Sequence, residues 1–197
     1  MEKKASNKEI IFKEAARLFS EQGYERTSMR AIAEAAGVSK PAIYYYFPNK
    51  DALFEEMLAA AMEQVQETLE KIQKSSLGTA EKLTEIAVSR FAMYLEHPEL
   101  SKFLTDMAVW NIKKKIMLNF LKKHHGIHTI VNNIVAEGIE TGLFRSEIDP
   151  NVAATMFLGG LNMYMVTHIK TGAGEMTSAK AREFVTNIID GIRSSQG

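Results

Sequence analysis

The sequence predicts an all-α protein: an N-terminal head of three helices, joined by a long helix to a helical bundle, with about nine helices in total. Three observations predict it. Apolar residues recur at spacings of three and four in nearly every segment, with no sustained alternation of period two bounded by hairpin turns. Gly23, Gly37, Pro48, Pro98 and Gly142 fall where those stripes end. The charge is also unevenly divided: residues 1–50 hold nine Lys and Arg against six Asp and Glu, and the rest of the neutral chain carries the opposite excess. A basic head on an acidic body points the head toward a polyanion.

Composition narrows the class. With 197 residues, 46% of them hydrophobic, and no cysteine, the chain needs no disulfide framework and has no thiolate for catalysis, zinc binding or redox switching. Its first residues are polar with no apolar run behind them, so neither a secretory leader nor a membrane span is expected, and a cytoplasmic location is.

The elements follow in order. Ser6 and Glu9 have capping-box spacing, and Ile11, Ala15, Leu18 and Phe19 form a stripe ending at Gly23, which gives a first helix over 7–22. Thr27-Ser28 starts a short second helix, 28–36, with Met29, Ile32, Ala33 and Ala36 on one face and Gly37 as its stop. Ser39 caps a two-turn third helix that carries Pro41 in its first turn, and Pro48 closes it. From Asn49 the stripe Leu53, Met57, Ala61, Val65, Leu69 and Ile72 makes a long connector that stops before Ser75-Ser76. A fifth helix starts at Thr79 and ends near His97-Pro98, and a Pro-started helix with Leu100, Phe103, Leu104 and Met107 follows. Another segment, with Ile127, Ile130, Val131, Ile134 and Val135, runs to Glu140-Thr141-Gly142. Two helices remain, 150–171 and 177–194. The domain boundary falls near residue 50, dividing 1–50 from 51–197.

Residues 28–46 meet the physical needs of a helix-turn-helix. Two short helices crossing steeply require a small residue in the first, a turn that accepts positive φ, and apolar anchors for the second. Ala33, Gly37, and Val38 with Ile43 supply them. With Ile43 inward, Lys40, Ala42, Tyr44 and Tyr45 turn to the other side. A plain helical hairpin would show Glu, Lys and Gln there, so three tyrosines on so short a helix argue for a binding face.

The stretch from Thr27 to Leu53, TSMRAIAEAAGVSKPAIYYYFPNKDAL, resembles the DNA-binding domain of TetR-family transcriptional regulators, and Ala15-Ala16-Arg17-Leu18-Phe19 with Gly23-Tyr24 extends the likeness over the first helix. The remainder is similar only in helical layout. The resemblance implies a homodimer that grips a palindromic double-stranded operator and is released by a small effector bound in the C-terminal domain. Position by position, it implies phosphate contacts from Tyr44 and Lys50, with Thr27, Ser28 and Tyr46 beside them. Ser39 and Pro41 lie in the same face, and base readout falls to Arg30, Lys40, Ala42 and Tyr45.

Residues 90–165 concentrate aromatic and methionine side chains. Such stripes also build plain core. As a set, Phe91, Tyr94, Phe103, Met107, Trp110, Phe120, Met156, Phe157, Tyr164 and His168 suit a cavity for an apolar effector, with Tyr94, Trp110, Tyr164 and His168 as polar tips. His124 and His128 stand four apart, but Gly126 between them is expected to break the helix and the neighbouring lysines repel cations, so no metal and no cofactor are expected. Asn151 to Lys170 is apolar nearly all round and needs two partners. One is its own core and the other a second subunit, with Gly159-Gly160 allowing close approach and the last helix completing the pairing.

The reading is therefore a ligand-responsive DNA-binding regulator, a repressor released by a hydrophobic small molecule, and not an enzyme, since no nucleophile, base and orienting group occur together. The alternative is a helix-turn-helix protein with no small-molecule effector, controlled by a protein partner. An apolar ligand retained through purification would separate the two, as would a cavity too small for anything but water.

Overall fold

A computed structural model of the chain describes residues 6–99, 101–102 and 114–193, and among them it is helical throughout except for one isolated bridge, Phe144 to Arg193. Eight helices can be given bounds: α1 Asn7–Gln22, α2 Met29–Ala35, α3 Lys40–Tyr46, α4 Lys50–Gln73, α5 Thr79–Glu96, α6 Lys114–Glu140, α7 Pro150–Thr171 and α8 Ser178–Ile192. Of the ninth expected helix, residues 98–99 and 101–102 are helical, while Phe103, Leu104 and Met107 lie outside the described residues.

Helix ends follow the capping chemistry. At α1 the Ser6 N–H donates to Glu9 Oε2 at 2.7 Å and Ser6 Oγ accepts from the Glu9 N–H at 3.3 Å, a reciprocal box. Ser28, Ser39, Asp149 and Thr177 cap α2, α3, α7 and α8 by accepting backbone N–H groups. Each such cap is worth about 1 kcal/mol.

The described residues form two compact units: the chain as far as Ala61 with the stretch around 97–117, and 62–96 with the chain from Leu118 on. The first unit thus reaches past residue 50. The reason is packing: Leu53, Phe54, Met57 and Leu58 on the first turns of α4 are buried, and the Phe54 ring lies 4.9 Å from Tyr24 and 5.9 Å from Phe19.

In the second unit α7 touches three neighbours. Phe91 on α5 stacks on Tyr164 at 5.6 Å, Phe184 on α8 meets Phe157 and Tyr164, and His128 on α6 hydrogen-bonds Thr155 at 3.0 Å. A Cβ at Gly160 would stand 3.2 Å from the Phe184 ring, so the glycine lets α8 come close. After α6 the chain folds back to bury Phe144 against Gly138, where a Cβ would come within 2.4 Å of the ring.

Two expectations need correction. Gly126 does not break a helix: α6 runs through it without interruption. A Cβ there would stand 3.2 Å from Gln66 Oε1, so the glycine serves the approach of α4 rather than a turn, and a helical glycine costs only about 1 kcal/mol against alanine. Second, one window does reach membrane-spanning length and apolarity: α7, with mean hydropathy 1.2 and a third of the window buried. Its buried residues, among them Ala154, Phe157 and Leu161, make it a core helix of this unit.

Candidate nucleic-acid interface and effector cavity

The head is built from a hairpin of two short helices. At the end of α2, the Val38 N–H donates to Ala33 O at 3.0 Å and the Gly37 N–H to Glu34 O at 3.2 Å, with Gly37 at φ 65°. This left-handed stop turns the chain sharply at a position that an L side chain would strain. Ile32, Ala33 and Ile43 are buried at the crossing. Burying Ile43 forces the rest of α3 outward: Lys40 and Pro41 are exposed, Ala42 is half-buried, and Tyr44, Tyr45 and Tyr46 are 44%, 86% and 39% exposed. Tyr45 meets the neighbouring ring of Tyr46, edge-on at 5.6 Å. Exposed aromatics beside a lysine form a face that can offer hydroxyls and a cation to phosphates and base edges.

The expected contacts divide. Ser28 Oγ and Ser39 Oγ each accept a backbone N–H as helix caps, from Ala31 and Ala42, while their hydroxyl protons stay at an exposed surface. Arg30 is exposed and held by Glu34 at 2.8 Å, an i,i+4 pair in water that is easily exchanged for a phosphate or base. Thr27 is different. It is 2% exposed and its hydroxyl donates inward, toward Gly23 O at 2.9 Å and Leu18 O at 3.3 Å, so it fixes the α1–α2 turn rather than offering a donor at the surface.

Lys50 departs from expectation in the same way. Its ammonium donates to Tyr24 O at 2.6 Å, Thr27 O at 3.0 Å and Glu25 O at 3.2 Å, and lies 4.3 Å from the Tyr24 ring centroid. An ammonium has three donors, and all three are spent on this turn. The Tyr24 hydroxyl in turn donates to Asp51 in a short hydrogen bond, and burial, then that bond, push the Tyr24 hydroxyl far above the ordinary tyrosine range. Tyr24 and Asp51 were missed at the sequence level; the one hint was an aromatic directly after the Gly23 stop. Together with Lys50 they clamp the end of α1 to the start of α4.

In the second unit six of the ten expected effector residues are described with their side chains. Phe91 and Phe157 are fully buried in ring contacts, and Met156 is 65% exposed on the outer side of α7. Two of the proposed polar tips, Tyr164 and His168, are hydrogen-bonded. The Tyr164 hydroxyl donates to Glu175 O at 3.0 Å, and His168 Nδ1 faces Ala173 O and Gly174 O at 3.2 Å, so both anchor the α7–α8 loop. Tyr94 packs edge-on against His168 at 5.7 Å. Phe103, Met107, Trp110 and the side chain of Phe120 lie outside the described residues. A cleft of about 160 Å³ opens between α4 and α5, bordered by Gln64, Thr68 and Leu69 on one side and Ser89, Arg90 and Met93 on the other. None of the six described effector residues borders it. No group of three or more His, Asp or Glu placed to hold a metal ion occurs among the described residues.

Comparison with known proteins agrees with this layout. A family model described as "Bacterial regulatory proteins, tetR family" matches residues 11–57, and one described as "YsiA-like protein, C-terminal region" matches residues 54–189. The "HTH-type transcriptional repressor KstR2" of Mycolicibacterium smegmatis is 22% identical over 194 residues, covering 98% of this chain and 94% of that protein. Among solved structures, the fatty acid degradation regulator FadR from Bacillus halodurans superposes with a TM-score of 0.85 at 22% identity, covering 98% of this chain and 99% of that one. FadR from Bacillus subtilis in complex with stearoyl-CoA gives a TM-score of 0.82 at 23% identity, covering 93% and 98%.

Proposed function

The chain belongs to the TetR family of bacterial regulatory proteins, with a YsiA-like C-terminal region, and from that premise we propose that it is a repressor that binds a palindromic operator as a homodimer and leaves it when an apolar small molecule occupies the C-terminal domain. Membership makes it a transcriptional regulator and not an enzyme. The observation that carries the DNA-binding half is the α3 face: Lys40, Tyr44 and Tyr45 stand exposed beside exposed Arg30, in a head that folds to present them.

In this reading α3 enters the major groove. Lys40 and Arg30 offer donors to guanine O6 and N7, and Ala42 lies against a thymine methyl. Tyr44, Tyr46, and the hydroxyls of Ser28 and Ser39 set register on phosphates. Two half-sites one turn apart need recognition helices about 34 Å apart, which only a dimer provides. Support for the dimer comes from α7, where Val152, Met156 and Met163 are 52%, 65% and 64% exposed and share a stripe with exposed Gly159. A large apolar stripe left open on one helix fits a subunit interface. The DNA target places the protein in the cytoplasm.

Release requires an effector that favours the non-binding state. α4 is one continuous helix from Lys50 to Gln73, so a change of tilt at its second half carries to its start. The relatives point to acyl and steroid compounds as the class to try, since one was solved with stearoyl-CoA and another, KstR2 of Mycobacterium tuberculosis, is a ketosteroid transcriptional regulator. The test is fluorescence anisotropy on a site selected from genomic fragments, at fixed salt. Tyr45→Ala is expected to weaken binding at least 10-fold, and an apolar effector to release the wild type; an effector that binds the dimer and leaves operator affinity unchanged overturns the proposal.

A further inference from the structure

We propose that Glu34 is a positioning residue for sequence readout. It holds the Arg30 guanidinium so that one edge is presented to a guanine, and it thereby sets how sharply one base pair of each half-site is discriminated. The inference rests on the operator-binding reading above and deepens it, since that reading gives Arg30 to base recognition without saying what aims so long a side chain.

α2 has the sequence MRAIAEA, and its only charges are Arg30 and Glu34. Met29, Ile32 and Ala33 are buried, which leaves the two charged side chains exposed on the open face at i and i+4. Nothing in the helix itself favours this arrangement. Peptide dipoles favour an anion in the first turn and a cation in the last, and α2 has its cation in the first and its anion in the last. The order of the pair is reversed as well, because an acidic residue placed four before a basic one stabilises a helix better than the opposite order. Glu70 and Lys74, at the end of α4, stand in the favourable order. On a face turned to DNA a carboxylate carries a third cost, repulsion from the phosphates. Charges that oppose local stability on all these counts argue for a functional pair rather than a stabilising one.

The geometry says what the pair does. Arg30 Nε donates to Glu34 Oε1 at 2.8 Å. A guanidinium carries its N–H donors in one plane, and with Nε taken the complete edge that remains is Nη1 with Nη2, a pair of donors suited to guanine O6 and N7. Arg30 can therefore read a guanine without giving up Glu34. In open water such a pair is weak, but once the groove displaces solvent the same attraction acts through a lower dielectric and confines the side chain to fewer rotamers. The carboxylate also offsets the charge with which an unpaired Arg30 would grip any phosphate. Glu34 thus lowers general DNA affinity and raises sequence discrimination.

The experiment uses the full-length protein, the site selected from genomic fragments, its single-base-pair variants and a scrambled duplex, compared by competition anisotropy at one salt concentration. Arg30→Ala is expected to lower discrimination at one guanine-containing pair of each half-site by about 5- to 150-fold. Glu34→Ala is expected to lower it at that same pair by about 2- to 10-fold, through the lost rotamer restriction, and to bind the scrambled duplex more tightly than the wild type does. Glu34→Gln keeps an oxygen for Nε and retains more discrimination than Glu34→Ala. Combining Arg30→Ala with Glu34→Ala costs no more discrimination than Arg30→Ala alone, because Glu34 acts through Arg30. Glu34→Ala melts at or above the wild-type temperature, since the unfavourable charge leaves the end of α2. The inference is overturned if Glu34→Ala leaves discrimination unchanged, weakens it equally at every position, or melts lower and binds all duplexes more weakly, which is the behaviour of a helix stabiliser. If Arg30→Ala alters no position, the inference fails while operator binding by the α3 face stands; if the wild type prefers no site, the operator reading fails with it.

Discussion

Removing the Lys50 ammonium separates two roles for this residue. Replacing it with methionine keeps most of the stem and deletes three charge-assisted hydrogen bonds, to the carbonyls of Tyr24, Glu25 and Thr27, at 2.6, 3.2 and 3.0 Å. A single bond to a charged group is worth about 1.5–3 kcal/mol. The site is only part-buried, so water takes over a share of the three carbonyls, and the net loss is about 2 kcal/mol. For a chain of this size that lowers the melting temperature by about 4–8 °C. The assay pairs thermal unfolding with operator affinity measured from about 50 to 200 mM salt. Each phosphate neutralised contributes about 0.9 to the log–log salt slope, so two phosphate-bound lysines in a dimer would give up about 1.8. The clamp predicts a lower melting temperature with an unchanged slope. An unchanged melting temperature with a slope shallower by about 1.8 would refute it and return Lys50 to the DNA.

Other expected outcomes can be checked directly. Tyr45 is 86% exposed, so Tyr45→Ala should shift stability by less than about 0.5 kcal/mol while operator affinity falls, as paired melting and anisotropy will show. Gly138→Ala brings a Cβ within 2.4 Å of the Phe144 ring and 2.9 Å of Thr79 Cγ2, so chemical denaturation should report a loss of about 1–3 kcal/mol. Met156→Asp with Met163→Asp puts charge on the open stripe of α7, and sedimentation should show monomers in place of dimers. Burial, Arg90 and His128 hold the His124 pKa below 6.5, so the unfolded chain binds more protons than the folded one between those two values. Stability therefore rises with pH across that window and is lost as pH falls through 6.5 toward the folded value, and His124→Gln should flatten the dependence.

The bounds of the helices were legible because local chemistry set them. Ser6 with Glu9, Ser28, Ser39 and Gly23 mark ends that hydrogen bonds then realise. Gly126 misled because the same residue that ends a helix also lets two helices approach, and only the neighbour, Gln66, tells the two apart. The α3 face could be read since one buried residue, Ile43, dictates where its neighbours point. Thr27 and Lys50 could not be read so, because their partners are backbone carbonyls that become available only once α1, its turn and α4 have come together. The effector residues are hard to read from sequence for a related reason. Aromatic content predicts apolar contact but not whether rings meet a ligand or each other, and here Phe91, Tyr164 and Phe184 meet each other.

The most direct test of ligand-responsive operator binding is to capture genomic fragments with the purified dimer at stated salt, then challenge the enriched site with palmitoyl-CoA and palmitate in a binding titration. The account predicts one palindromic site, lost in Tyr45→Ala and released by at least one of the two anions. Uniform binding to all fragments, or an enriched site from which neither bound anion releases the protein, would contradict it.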